Sequence, residues 1–315
     1  MNSSNRPLVS IGIPTYNRAN RNLRKVIERA LGQTYANVEV IVSDNCSTDH
    51  TPELVRSIED PRLHYFRQEV NRGANANFNY CLQQARGDYF LLFHDDDMID
   101  EDMIESCIAA LGPGEEVGAI FTGVRVIDEN DRVMEEHPNV TTAANAAEFI
   151  RGWYRGATAL FLCSTLYNTR WLKEVGGFAS KKNLYDDLVP TFTLVARHGR
   201  ADVRDIKAAF RRHSSNRGAT VPLQDWIEDS LYVLELIDRL LPDDRAMLAE
   251  AGKLYFCRTM YSYAAGGTAV VKSPFDYLRI YKAFDYCLSP WRYFYLPKLG
   301  RRLGWIKGLL SGKAA

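Results

Sequence analysis

Hydrophobic and polar positions follow a repeating pattern over the first 128 residues. Short hydrophobic runs, several without polar alternation, predict strands that are buried on both faces. The predicted strands are 8–14, 38–44, 63–67, 88–94 and 117–128. Amphipathic stretches between them predict helices at 19–32, 50–59, 74–86 and 101–111. This alternation predicts an α/β fold with a doubly wound, mainly parallel, Rossmann-like sheet.

The middle of the chain is predicted to extend the same sheet and to close the crevice at its edge. Its elements are a helix at 143–155, a tight turn at Gly176–Gly177, a helix at 185–198 and a strand at 201–213. From about residue 221 the pattern is helical, most clearly at 223–241. We expect an α/β domain at 1–220 and a helical C-terminal region at 221–315.

Polar clusters follow four of the predicted strands. In an open parallel sheet the carboxyl ends of neighbouring strands meet at one edge, and ligands bind in the crevice outside that edge. The clusters lie at 14–18, 43–49, 67–73 and 94–98. We therefore expect their side chains to line one ligand-binding crevice.

Composition narrows the class of protein. Lysine plus arginine equals aspartate plus glutamate, at 39 each, so the chain as a whole has no field that attracts nucleic acid. The six cysteines include no C-x-x-C pair that would indicate zinc or a redox motif. The sequence shows no signal peptide and no apolar stretch long enough to span a membrane. These features predict a cytoplasmic protein with reduced thiols.

Three consecutive aspartates, Asp95 to Asp97, directly follow the hydrophobic run 89–93. Two interpretations are open on these residues alone. Carboxylates at a strand end suit Mg²⁺ or Mn²⁺, which prefer one or two carboxylates together with substrate phosphates. Alternatively, the acids stabilise the N-terminus of the next helix, a role that fits Asp97, Asp100 and Asp102 best.

Missing phosphate-binding motifs favour the metal. The chain contains neither G-x-G-x-x-G nor G-x-x-x-x-G-K-[ST], so no glycine loop is available to cradle a diphosphate. A cation held by the aspartate run supplies the positive charge instead.

Side chains at the other strand ends suit the remaining parts of a nucleotide. Asp44 can accept a hydrogen bond from a ring N–H of a nucleobase. Thr15 offers a hydroxyl group and Tyr16 a ring for stacking, although Pro14 can simply end the first strand. Arg72 can pair with phosphate.

Four segments resemble family 2 glycosyltransferases of the GT-A fold in their order and spacing. They are VSIGIPTYNR, VIVSDNCSTDHT, NRGANANFNYCLQQARGDYFLLFHDDD and LYDDLVPTFTLVARHG, and the similarity covers about residues 8–215. The resemblance implies transfer of a sugar from a nucleoside diphosphate sugar, with inversion and with the help of Mg²⁺ or Mn²⁺. It also implies a GT-A sheet, followed in this chain by a C-terminal helical extension.

Within this resemblance, the run from His94 to Asp96 corresponds to the D-x-D motif. Asp95 is then near the ribose and Asp96 is the metal ligand. Many members of the family carry an acid where this chain has His94, so three roles for His94 stay open: a hydrogen-bond donor behind the ligands, a poor ligand or a core residue. His213 lies where relatives place a histidine near the diphosphate and the metal.

The resemblance also implies a base site and a catalytic base. Thr15, Tyr16 and Asp44 correspond to the nucleobase site, with Asp44 accepting from a uracil-type N3–H, which favours UDP or dTDP. Asp187, next to Asp186, matches the general base that takes the proton of the acceptor hydroxyl. Capping of the following helix by the two acids is the alternative.

The C-terminal segment 289–313 combines aromatic, aliphatic and basic residues. This mixture suits a membrane interface, where rings lie among lipid headgroups and cations meet anionic lipid. A helix packed on the protein with a basic solvent face is the equal alternative.

These features together predict a cytoplasmic glycosyltransferase, peripheral on the inner face of the cell membrane if the tail binds lipid. Its acceptor is expected to be a glycan or polyprenyl-linked glycan in surface polysaccharide or O-antigen biosynthesis. The Q-x-x-R-W signature of processive synthases is missing, which favours one sugar per encounter. Two rivals are a sugar nucleotidyltransferase, which normally carries a glycine-rich loop after the first strand, and a module that binds a nucleotide sugar without turning it over.

Overall fold

The computed structural model of the chain describes residues 6–212, 221–266 and 274–293, and its elements are as follows. The strands are β1 (Val9–Thr15), β2 (Val38–Asp44), β3 (Leu63–Arg67), β4 (Tyr89–Leu92), β5 (Met98–Ile99), β6 (Ala119–Ile127), β7 (Val133–His137), β8 (Thr165–Asn168) and β9 (Arg200–Arg211). The helices are α1 (Leu23–Leu31), α2 (Thr51–Arg56), α3 (Ala74–Gln84), α4 (Met103–Ala109), α5 (Ala146–Tyr154), α6 (Thr169–Glu174), α7 (Leu188–His198), α8 (Leu223–Leu240), α9 (Arg245–Gly266) and α10 (Pro274–Ala283).

The five strands expected in the first 128 residues are confirmed as β1, β2, β3, β4 and β6. Every residue of β1, β2 and β4 is buried, as expected for strands whose sequences lack polar alternation. The chain divides into two compact units, residues 1–214 and 215–315. All the strands listed above lie in the first unit.

One sheet joins these nine strands of the described residues, in the order β3-β2-β1-β4-β8-β6-β9-β5, with β7 paired to β6. The strands β3, β2, β1 and β4 are parallel neighbours. The strand β8 runs antiparallel between β4 and β6, whereas β6 and β9 are parallel. The α/β doubly wound fold is confirmed, with a parallel first half and a mixed second half. The expected extension of the sheet beyond residue 128 is also confirmed.

The strand order places a ligand-binding edge next to β1. The strands β2 and β4 lie on opposite sides of β1, which creates the topological switch point where open α/β sheets bind ligands. Thr15 is in register with Asp44, and Asp44 with Arg67. The aspartate run begins just after β4 ends. The polar clusters after β1, β2, β3 and β4 therefore share one edge, as predicted.

Helix α3 packs closely against these strand ends. A Cβ atom on Gly12 of β1 would lie 2.8 Å from Cys81 Cβ of α3 and 2.7 Å from Phe90 Cζ, so glycine leaves the space that α3 and the Phe90 ring occupy. The side chain of Asn77 in α3 is buried; its Nδ2 donates to Ser43 O at 3.0 Å and its Oδ1 accepts from Gln68 Nε2 at 2.7 Å. Satisfied buried amides of this kind fix the orientation of a helix on a sheet.

The helical character expected from about residue 221 is confirmed in the described residues by α8, α9 and α10. The buried residues of α8 recur with the helical period that the sequence shows. Trp226 of α8 packs edge-on against Tyr263 of α9, with 5.0 Å between ring centroids. No helix within residues 6–212, 221–266 and 274–293 is long and apolar enough to cross a membrane.

Candidate active site

Asp44 ends β2 and is completely buried. Its Oδ1 accepts from the N–H of Ser47 at 2.8 Å, and its Oδ2 accepts from the hydroxyl of Tyr65 at 2.7 Å. Arg67 Nε lies 3.7 Å from Oδ2. Burial raises the pKa of Tyr65, and the hydrogen bond to Asp44 raises it further. Asp44 is thus a fixed acceptor, and a ligand reaches it only if neighbouring side chains move.

The loop after β1 is tied to the loop after β2. Pro14 and Thr15 are buried in β1, whereas the ring of Tyr16 is exposed. Asn17 adopts φ 54° and its N–H donates to Ser47 Oγ at 2.9 Å. The loop therefore presents Tyr16 at the edge of the sheet while its backbone is held.

Arg18 supplies positive charge next to the aspartate run. Its Nε lies 3.3 Å from Asp95 Oδ1 and its Nη2 lies 3.9 Å from Asp96 Oδ2. Burial raises the pKa of Asp95 to about 6, and Arg18 opposes this rise. Arg18, the last residue of PTYNR, was not among the predicted site residues, because only the pairing of β1 with β4 brings it to the acids.

His94 and Asp97 form a second charged contact. Asp97 is buried; its Oδ1 accepts from the N–H of Arg211 at 2.9 Å, and its Oδ2 lies 3.5 Å from His94 Nδ1. Burial raises the pKa of Asp97. Burial lowers the pKa of His94, but the neighbouring aspartates, chiefly Asp97, outweigh burial and leave it raised. Arg18 therefore balances the like charges of the aspartate run, and His94 adds to this balance only in its protonated form.

The three aspartates to which the helix-capping alternative was assigned each lie next to a basic side chain. Asp97 pairs with His94, Asp100 pairs with Arg125, and Asp102 Oδ2 lies 2.6 Å from Lys207 Nζ. Helix α4 begins at Met103 without a side-chain hydrogen bond from Asp102. Arg125 belongs to β6 and Lys207 to β9, so proximity to a helix in the sequence did not reveal these two partners.

The residues at the aspartate run fit a divalent cation. His94, Asp96 and Asp97 each offer a ligand atom, and these atoms lie within 4.8 Å of one another. Among the described residues, His94 Nε2 is buried without a hydrogen-bond partner, and Asp97 Oδ2 has no partner beyond the 3.5 Å contact with His94 Nδ1; such buried atoms are rare in folded proteins unless a ligand completes them. One imidazole and two carboxylates suit Mn²⁺ and, less well, Mg²⁺. The other predicted metal residue, His213, lies outside the described residues.

A cavity of about 320 Å³ adjoins the cation cluster. It lies beside α1, and its lining includes Arg29, Asp97, Glu101 and Arg211. This volume is at the lower end of the range for small-molecule sites.

The acid pair before α7 makes two different contacts. Asp187 Oδ1 accepts from the N–H of Leu188 at 2.8 Å, so the helix-capping role is present. Asp186 is buried, and its Oδ2 accepts from Asn75 Nδ2 at 2.8 Å, which joins α7 to α3. A carboxylate has about four acceptor positions, so capping by Asp187 is compatible with proton abstraction.

Arg72 lies in the loop between β3 and α3. Its backbone N–H donates to Asn45 Oδ1 at 2.9 Å, and Asn45 Nδ2 donates to Asn71 Oδ1 at 2.9 Å. The side chain of Arg72 is exposed. The loop is thus tied to the end of β2, with a guanidinium group at the same edge of the sheet.

The site combines a switch-point crevice with residues that fit a divalent cation, a combination suited to binding a charged ligand. The sequence signature of glycosyl transferase family 2 matches residues 10–176, more than half of the chain. The chain belongs to this family of enzymes.

Curated relatives of the chain are also described as glycosyltransferases. An uncharacterized glycosyltransferase of Rickettsia typhi is 38% identical over 129 residues, which cover 41% of this chain and 40% of the relative. A proposed colanic acid biosynthesis glycosyl transferase of Escherichia coli, WcaA, is 39% identical over 95 residues, which cover 30% of this chain and 34% of the relative. The chain thus spans at most 40% of the length of either relative.

The fold also matches a solved structure. TarS residues 1–349 of S. aureus, in complex with UDP-GlcNAc, superpose with a TM-score of 0.67 and 19% sequence identity. The match covers 91% of this chain and 82% of that chain. This likeness confirms the expected GT-A fold.

Proposed function

We propose that this chain transfers one sugar from a nucleoside diphosphate sugar to a hydroxyl group of a glycan or polyprenyl-linked acceptor. The observation that carries the proposal is the cluster of His94, Asp96 and Asp97 at the switch point of a family 2 sheet. The TarS complex with UDP-GlcNAc supports a uridine donor. The name of the Escherichia coli relative supports a role in surface polysaccharide biosynthesis.

The donor occupies the crevice at the ends of β1, β2 and β4 in this proposal. The proposed donor-binding residues are Pro14, Thr15, Tyr16, Asp44, Arg72 and Asp95. The exposed ring of Tyr16 stacks on the base, and Asp44 accepts the base N3–H once the surrounding side chains move. Arg72, exposed at the same edge, pairs with the diphosphate.

Asp96 and His213 hold Mg²⁺ or Mn²⁺ in this proposal, together with the other members of the cluster. The cation, when bound, neutralises the diphosphate and so makes it a better leaving group. Arg18, which contacts Asp95 and Asp96, keeps the acids from repelling one another and the incoming phosphates.

Asp187 acts as the general base. An acceptor hydroxyl is far too weak an acid to lose its proton at neutral pH, so a carboxylate must take that proton as the hydroxyl attacks the anomeric carbon. The diphosphate leaves from the opposite face of the sugar, and a single displacement of this kind inverts the anomeric centre. The bond from Asn75 holds the neighbouring Asp186 in place.

We place this activity in the cytoplasm, where nucleoside diphosphate sugars are made. The six cysteines are all free thiols in the structure, which supports a reducing compartment.

Pyrimidine diphosphates with a free N3–H are expected to bind best. UDP or dTDP at 100 times its dissociation constant stabilises the fold by about 2.7 kcal/mol, which raises Tm by roughly 5 °C. CDP is expected to bind more weakly, because its N3 is an acceptor and faces the Asp44 carboxylate. A thermal-shift screen of nucleoside diphosphates with and without Mn²⁺ measures both effects.

The same screen distinguishes a wrong role for Asp44 from a wrong class of donor. Equal shifts with CDP, or larger shifts with a purine diphosphate, would show that Asp44 does not read the base. If no nucleoside diphosphate changes Tm in either condition, the donor proposal itself is wrong.

A further inference from the structure

The outward face of α10 carries large apolar side chains. Phe275 is 77% exposed and Leu278 is 58% exposed. They are three residues apart, so they lie next to each other on one face of the helix. Ile280 and Phe284, on the opposite side, are buried. The helix therefore presents a second apolar face outward, which a helix that only packs on its own unit does not need.

Cations lie on the same outward face. Arg279 and Lys282 follow Phe275 by four and seven residues, and both are exposed. Arg279 Nη1 lies 3.7 Å from Asp276 Oδ1, and the Asp276 side chain is largely buried. The exposed part of the face thus combines two apolar side chains with two cationic groups.

The segment that follows α10 continues the same composition. Trp291 is 68% exposed and is followed by Arg292. Tyr277 of α10 and Tyr293 both contact the ring of Tyr261 in α9, at 5.9 Å and 5.1 Å between centroids, so the two segments lie side by side. The sequence from residue 294 onward has five lysines and arginines and no acid.

We infer that Phe275, Leu278 and Trp291, with the cations of α10, form a surface that contacts an anionic lipid bilayer. Apolar side chains beside cations suit the boundary between headgroups and acyl chains, where tryptophan is also enriched. Anionic headgroups complement Arg279 and Lys282. This surface adds helix α10 to the membrane contact that the sequence predicts for the C-terminal tail. The inference is independent of sugar transfer, because a membrane contact of this kind needs no donor site.

The test uses the full chain and sedimentation with vesicles of phosphatidylcholine, alone or mixed with phosphatidylglycerol. The wild-type chain is expected to bind the anionic vesicles, and Phe275→Ser/Leu278→Ser to bind them at least about tenfold more weakly. The matched control is Val133→Ser/Met134→Ser, which changes two side chains of β7 with 53% and 54% exposure. The control is expected to bind as the wild type does. Equal Tm values would show that both variants fold.

A second pair of variants separates charge from apolar contact. Arg279→Ala/Lys282→Ala is expected to weaken binding by several-fold at low salt and by less at high salt, because salt screens the attraction to anionic lipid. The tail variant Arg301→Ala/Arg302→Ala is expected to add to this loss. If vesicle binding is weakened by the tail variant and is unchanged in Arg279→Ala/Lys282→Ala, α10 has no role in membrane contact.

Two other results would also overturn the inference. One is a wild-type chain that does not sediment with anionic vesicles. The other is unchanged vesicle binding by the Phe275→Ser/Leu278→Ser variant. If this variant also has a smaller mass than the wild type in light scattering, the surface is a contact between copies of the chain.

Discussion

Asp187→Asn is expected to slow sugar transfer by about 10²–10⁴-fold, the range typical of general-base catalysis. The affinity for nucleoside diphosphates and its dependence on metal are expected to stay at wild-type values, because the base acts on the acceptor and not on the donor. The fold is also expected to survive, since asparagine is as good a helix N-cap as aspartate and can still accept from Leu188 N–H. Single-turnover transfer and donor titration measure the two properties separately.

Asp186→Asn is the matched control for this prediction. Asp186 is buried and accepts from Asn75, so the substitution keeps an amide oxygen as acceptor and is expected to cost much less activity. Near wild-type transfer by Asp187→Asn together with an inactive Asp186→Asn would move the base by one residue. If both variants stay active, the acid pair has no part in the reaction.

Asp96→Asn is expected to abolish the Mn²⁺-dependent part of donor binding. The amide oxygen of asparagine lacks the negative charge that draws a divalent cation to the cluster with His94 and Asp97. Binding that needs no metal, through the base and ribose, is expected to remain. Calorimetric titration of UDP with and without Mn²⁺ measures both parts.

Asp100→Asn is the control for the metal prediction, because Asp100 follows the same aspartate run but pairs with Arg125. It is expected to keep full metal dependence. Unchanged metal-dependent affinity in Asp96→Asn, or equal losses in the two variants, would remove Asp96 from the cation site.

The parallel half of the sheet was predictable because its strands are continuous hydrophobic runs. Every residue of β1 and β2 is buried, and the sequence shows this as near-absence of polar positions. The short strands β5 and β8 and the exposed strand β7 have no such pattern, so they were missed. The antiparallel strand β8 lies between β4 and β6 because of long-range strand pairing, which the local hydrophobic pattern does not show.

The positions of the site were predictable, but its contacts were not. Polar clusters after hydrophobic runs indicate a strand edge, so Asp44 and the aspartate run stood out. Their partners come from distant parts of the chain: Arg18 reaches Asp95, and Arg211 donates to Asp97 across 114 positions. The pairing of strands brings these residues together, and short stretches of sequence do not show which distant residues become neighbours.

The most direct test of sugar transfer is release of nucleoside diphosphate from a panel of UDP- and dTDP-sugars by the purified chain with Mn²⁺ and polyprenyl-linked glycan extract. We expect release from at least one donor, at a rate that falls when Mn²⁺ is chelated and that is lost in Asp187→Asn. Donors that bind and stabilise the wild-type chain but are never turned over would contradict the account and make the chain a binding module.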